Sequence, residues 1–149
     1  MPSKYSLTLE LSGYTAKEIA KNPQNYMAFL RTAANNYKYS FADQLLIFAQ
    51  KPDATACAEI ETWNRLGRWV NKGTKGITLL VDRDIPYKLR HVFDLSDTNS
   101  RHGYEVHLWQ FKEDYSDTVI DALENSFGSL EDRADFVSSV TKIAVDIVK

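Results

Sequence analysis

An α+β fold is the reading this sequence supports, on three observations. Capped, helix-periodic segments occupy residues 15–66, and short β-branched or aromatic runs occupy residues 68–111. Helical patterning then returns from residue 117 to the end. Helices, strands and helices in blocks, rather than in alternation, predict a small, mostly antiparallel sheet flanked by N-terminal and C-terminal helices. The third observation is size: 149 residues, 44% hydrophobic and 26% charged, suit one globular domain over residues 1–149 with enough chain for a core.

The elements follow in order. Tyr5, Leu7, Leu9 and Leu11 alternate loosely and predict a short strand or an ordered arm. Thr15 with Glu18 makes a capping box for a short helix. Asn22-Pro23 reads as N-cap and first turn of the next, whose stripe is Tyr26, Leu30, Ala33 and Tyr37, broadened by Met27 and Phe29. Ser40 and Asp43 open a third helix, FADQLLIFAQ, apolar on most sides and therefore central, and Lys51-Pro52 ends it. AEIETWNRL is a fourth, stopped by Gly67 and anchored in the core by Trp63. RWV and ITLLV are then two strands joined as a hairpin through NKGTKG. KLRHVFDL and YEVHLWQF are two more, separated by a polar loop through Ser96–Gly103. DTVIDALENSFG is a helix closed by Gly128. Ser129 with Asp132 opens a last helix that runs to Lys149 without a cap, which predicts that the domain continues into a longer protein.

Most enzyme and membrane classes find no support. The longest apolar runs, LLIFA and ITLLV, fall far short of a membrane span, and the N-terminus lacks a signal-peptide shape. Cys57, the single cysteine, sits among small residues as a buried, inert thiol, and a reducing cytoplasm is its natural compartment. His91, His102 and His107 match no metal spacing, and His91 and His107 fall in strands as structural or surface residues. An enzyme reading would require one of these two histidines beside converging carboxylates. KGTKGIT is not a Walker loop, because a glycine and not Ser or Thr directly follows Lys75, and the order is strand–loop–strand. No cofactor is expected.

Charge is unevenly spread. Residues 1–90 hold 13 basic and 8 acidic side chains, whereas residues 112–149 hold 4 and 9. Arg65, Arg68, Lys72 and Lys75 cluster within eleven residues, and Gly73 and Gly76 permit close backbone approach. Alternation places Arg68, Val70 and Lys72 on one strand face and Trp69 with Asn71 on the other. Lys88 and Arg90 share a face of the next strand and extend a phosphate track, while Trp69 and Tyr37 are the aromatics suited to stack on unpaired bases. Lysines that guard strand edges and solvated loops give the same pattern, as would a surface for an acidic protein partner.

The segment from Tyr37 to Val81 adds a resemblance. It joins Gln44-Leu45-Leu46, Gln50, Pro52, Ala54-Thr55, Trp63, Leu66-Gly67-Arg68, Val70, Lys72-Gly73 and Lys75-Gly76-Ile77, with VFDLSDT (Val92–Thr98) downstream. Over roughly residues 22–98 this pattern resembles the N-terminal single-stranded-DNA-binding domain of ArdC-type antirestriction proteins. It resembles more closely the related domains in large proteins of bacterial conjugative elements. Asp43 stands where the pattern has asparagine and Asp97 where it has glutamine, each adding negative charge near an anionic ligand. The zinc metallopeptidase part of ArdC has no counterpart in this sequence. The resemblance implies a non-catalytic, cytoplasmic module of a mobile-element protein that grips single-stranded DNA, with RNA or duplex as alternatives. Its other partners would be further domains of a longer parent chain, and no membrane is involved. The rival reading is a protein–protein interaction module whose acidic C-terminal helices dock onto a partner.

Overall fold

A single helix, α1 (Lys4–Ile19), replaces the predicted strand or arm and the separate helix from Thr15. Ser3 is its N-cap, accepting from the Ser6 amide at 3.0 Å. The face that α1 buries runs through Thr8, Leu11, Thr15 and Ile19, a helical spacing concealed because two of its members are threonines. Their hydroxyls donate to the carbonyls of Lys4 and Leu11, each at 2.8 Å, so neither enters the interior unsatisfied. Thr15 therefore caps nothing. The structure is a computed structural model that describes residues 1–81, 87–103, 105–108 and 112–128.

The next two helices begin where their caps predict. Asn22 accepts from the Asn25 amide at 2.8 Å to start α2 (Pro23–Asn35), and Ser40 accepts from the Asp43 amide at 3.2 Å to start α3 (Phe41–Gln50). Phe29, not Tyr26, is the centre of the buried α2 face, and Tyr37 lies exposed beyond its end. α3 is central, as its apolar circumference requires. Leu45 packs with Ile19, Phe29 and Ala33 on the helical side, while Leu46 and Ile47 pack with Ala54, Ile77, Leu79 and Val92 on the sheet side.

β1 (Cys57–Ala58), β4 (Leu89–Asp94) and β3 (Ile77–Leu80) form an antiparallel sheet in the order β1-β4-β3. Between β1 and β3 in sequence come α4 (Ile60–Arg65) and β2 (Arg68–Val70). Gly67, at φ 69°, stops α4, and Trp63 is 2% exposed with its indole Nε1 donating to the Phe93 carbonyl at 2.9 Å.

The hairpin predicted between RWV and ITLLV does not form. β2 pairs instead with β5 (Thr98–Ser100), and β3 pairs with β4. The free edge of β3 is already occupied: the Gln50 side chain donates to the Thr78 carbonyl and accepts from the Thr78 amide, both at 2.9 Å. A glutamine from α3 thus takes the place of a neighbouring strand and leaves β2 to find a partner elsewhere. β5 lies inside the predicted polar loop. The described part of the predicted strand YEVHLWQF, residues 105–108, is irregular, and its other residues lie outside the described ones.

Asp94 holds these pieces in register. It is fully buried, and Oδ1 accepts from the Thr55 and Ala56 amides at 2.7 and 2.8 Å. Oδ2 accepts from the Ser96 amide at 3.1 Å and the Ser96 hydroxyl at 2.6 Å, turning the chain through a 3-10 turn at Leu95–Asp97 into β5. Burial works to raise this carboxyl, yet the Ser96 hydroxyl and the Ala56, Ser96 and Thr55 amides together hold it below the usual 3.8.

Residues Met1–Leu108 and Trp109–Lys149 form two units. In the second, a 3-10 turn at Glu113–Tyr115 leads into α5 (Ser116–Phe127), which ends at Gly128 with φ 89° as its composition predicts. The predicted helix from Ser129 lies outside the described residues.

Candidate nucleic-acid interface

The sequence-predicted residues separate into three groups. The first surrounds the β2–β5 ribbon. Trp69 pairs with Asn99 across the ribbon and is 45% exposed, so it faces solvent rather than the core. Arg101 places its guanidinium carbon 5.5 Å from the Trp69 ring centroid. On the same face Asn99 donates from Nδ2 to Asn71 Oδ1 at 2.8 Å. An indole, a guanidinium and a pair of amides thus form one exposed surface. Sequence reasoning named Trp69 and Asn71 but missed Arg101 and Asn99, because both lie in the segment taken for a loop and only the β2–β5 register reveals them.

Arg68 holds that surface in place. Its Nε donates to the Thr98 hydroxyl at 2.7 Å and Nη2 to the Thr98 carbonyl at 3.0 Å, so its guanidinium ties β2 to β5. Arg65 is exposed at the end of α4, with Nη2 donating to the Thr62 hydroxyl at 3.2 Å. Lys72 is exposed on the turn closed by Thr74 N–H donating to the Asn71 carbonyl at 3.2 Å, where Gly73 adopts φ 86°. That glycine is required by its backbone.

The second group stands apart from the ribbon. Gly76 does make a close approach, but to its own sheet: an added Cβ would sit 3.0 Å from Phe93 Cζ and 3.2 Å from His91 Cβ. Lys75, beside it, is exposed on a cleft shared with Lys4 and His91. Sequence reasoning therefore joined Lys72 and Lys75 in one loop tip, whereas the turn and the cleft receive them separately.

The third group is the pair on β4. Lys88 is exposed. Arg90 turns toward α3, where Nη2 meets Asp43 Oδ2 at 2.7 Å and Nη1 lies 3.7 Å from Glu59 Oε1. Its guanidinium also stands 5.7 Å from the Tyr39 ring centroid. The charge of Arg90 is compensated inside the fold. The two acidic departures prove to be paired as well: Asp43 with Arg90, and Asp97 with Lys51 at 3.4 Å. Tyr37 remains an exposed ring with Lys38 Nζ 5.8 Å from its centroid.

The described residues contain no group of three metal-ligating side chains. Cys57 is half-buried, and burial, reinforced by the Asp94 charge, pushes its thiol up to about 12, which keeps it protonated and unreactive. No helix among the described residues is long and apolar enough to cross a membrane.

The family model for the N-terminal domain of anti-restriction factor ArdC fits residues 11–117, a span that begins within α1 and ends in the first turn of α5. No curated protein and no solved structure matches the chain.

Proposed function

This chain belongs to the family of ArdC N-terminal domains, and on that premise we propose that it is a non-catalytic module that binds single-stranded DNA within an antirestriction protein. The setting that goes with this reading is the cytoplasm of a bacterium that carries a conjugative or other mobile element. The observation that carries the reading is the solvent-facing Trp69 with Arg101 against its ring and the Asn71–Asn99 amides beside it. An exposed indole offers a stacking surface to a base, and stacking needs a base face that duplex DNA keeps covered. The amides can accept and donate to base edges without demanding one sequence. Arg65, Lys72 and Lys75 are exposed and lie near the ribbon in sequence, and they supply phosphate contacts with Arg101. Arg68 and Arg90 act indirectly, the first by fixing the ribbon and the second by compensating Asp43.

Fluorescence anisotropy with a labelled oligothymidylate and a duplex of equal length tests this. Four cations on a single strand predict that log K falls with log salt at a slope of about −3. The Lys72→Ala/Lys75→Ala variant should bind more weakly and lower that slope by about 1.4. Preference for duplex, or a flat salt response, would refute the reading. Binding of neither nucleic acid would favour a protein-interaction module.

A further inference from the structure

An open cleft of about 380 Å³ lies between the N-terminal half of α1 and the β3–β4 pair. Its polar residues include Lys4, Lys75 and His91, its apolar wall is Leu7 and Leu11, and no carboxylate among the described residues lines it. Strand alternation explains how His91 arrives there. His91 and Thr78 are cross-strand partners on the sheet face opposite Arg90 and Leu79, so β4 sends one basic residue toward α3 and the next into the cleft. Lys4 Nζ stands 3.4 Å from His91 Nε2. Neither Lys4 nor Lys75 joins a salt bridge among the described residues, whereas Arg90 and Lys51 both do.

The supports of these three nitrogens are fixed. Gly76 is pressed against His91 and Phe93, which pins the backbone next to Lys75. Gln50 closes the floor by bonding both backbone groups of Thr78. Lys4 opens α1, whose buried threonine face sets its position over the sheet. Three basic side chains from a helix, a loop and a strand thus line one cleft beside two leucines, with no acidic partner among the described residues. A phosphate oxygen can accept from such a set, and an ammonium retains protons for it beyond the one directed at His91. The volume is in the range of small-molecule sites, roughly 300–1,000 Å³, and suits one nucleotide unit.

We infer that the cleft seats one phosphate-bearing nucleotide, with its phosphate on Lys4, Lys75 and His91 and its sugar or base against Leu7 and Leu11. The inference rests on the strand-binding reading only for the source of that nucleotide, which is either a strand passing through or a free mononucleotide. NMR titrations of the whole chain separate the two sources. The resonances to follow are the Gly76 amide and the His91 ring for the cleft, and the Trp69 indole for the ribbon. Thymidine monophosphate should shift the cleft resonances, and thymidine, lacking the phosphate, should not. An oligothymidylate should shift cleft and ribbon together. The Lys4→Met/His91→Gln variant, altered only at exposed positions, should abolish the cleft shifts. It should also weaken strand binding about fivefold and lower the salt slope by about 0.7, one phosphate's share. If the strand moves Trp69 while neither strand nor monophosphate moves the cleft, this inference is overturned and the strand reading stands. If the monophosphate moves the cleft but no strand binds, the cleft stands as a mononucleotide site and the strand reading falls.

Discussion

Asp94→Asn is the substitution most informative about how this fold presents its surface. The carboxylate is fully buried and accepts from two amides at Oδ1 and from the Ser96 amide and hydroxyl at Oδ2, with the Thr55 hydroxyl shared between the two oxygens at 3.4 and 3.3 Å. An asparagine must aim its NH2 at one of those donor pairs. Placed at Oδ1, the NH2 would orphan the Thr55 and Ala56 amides. At Oδ2 the Ser96 hydroxyl can rotate to accept, and only the Ser96 amide is orphaned. The second orientation is therefore favoured. One orphaned amide costs about 1–3 kcal/mol, and the remaining bonds lose their charge assistance at about 1 kcal/mol each. The sum is about 3–5 kcal/mol against the roughly 5–15 kcal/mol that stabilises a domain. Urea unfolding at neutral pH, followed by tryptophan fluorescence, measures it. The same residue fixes a pH dependence. Because the folded carboxyl lies below the usual 3.8, its contribution is complete above that value and is lost as pH falls through the lowered one. The wild-type protein should lose stability in that acidic window, and Asp94→Asn should lose less there. A cost below about 1 kcal/mol, or an unchanged acid response, would refute the assignment.

Two further outcomes bear on the ribbon and on Arg90. Trp69→Ala removes a side chain that is already 45% exposed, so unfolding should change by no more than about 1 kcal/mol. Single-strand affinity should fall about 5- to 150-fold, which is the roughly 1–3 kcal/mol of one stacked base; anisotropy and urea unfolding compared on the same variant decide the matter, and a stability loss without an affinity loss would return Trp69 to a structural role. Asp43→Asn leaves Glu59, at 3.7 Å, as the one carboxylate paired with Arg90 among the described residues. Because that pair is partly buried, stability should drop by about 1–3 kcal/mol, while strand binding should tighten as a guanidinium is released; weaker or unchanged binding would place Arg90 off the strand's path.

Local signals carried much of the fold. Asn22, Ser40, Gly67 and Gly128 mark element ends through their own side chain or backbone, and each acts where its neighbours in sequence place it. The failures escape hydrophobic patterning. Threonines were admitted to the buried face of α1 by carbonyls one turn away, which no hydrophobic pattern records. β5 is three residues, Thr98–Ser100, whose strand character comes from β2 across from it. Spacing and strand alternation grouped Arg68 and Arg90 with Lys72 and Lys75. Burial of Asp43 and the β2–β5 register, neither visible in spacing, direct the two arginines inward.

The residues that carry the family resemblance explain why the surface itself was hard to read. Gln50 occupies the edge of β3, Trp63 donates to the Phe93 carbonyl, and Asp94 gathers the Thr55, Ala56 and Ser96 amides. Gln44 does similar work, with Nε2 donating to the Asn36 carbonyl at 3.2 Å. All four are polar side chains that satisfy backbone groups, and their part is to hold the chain in this topology. Their effect on the site is indirect but decisive. With the edge of β3 closed by Gln50, β2 cannot join the main sheet and pairs with the segment that Asp94 turns outward. In a hairpin with β3, Trp69 would have shared the environment of a core strand. On the two-stranded ribbon it has solvent on one face and Arg101 at its ring. A glutamine in α3 and an aspartate in β4 thereby determine which way a tryptophan in β2 points.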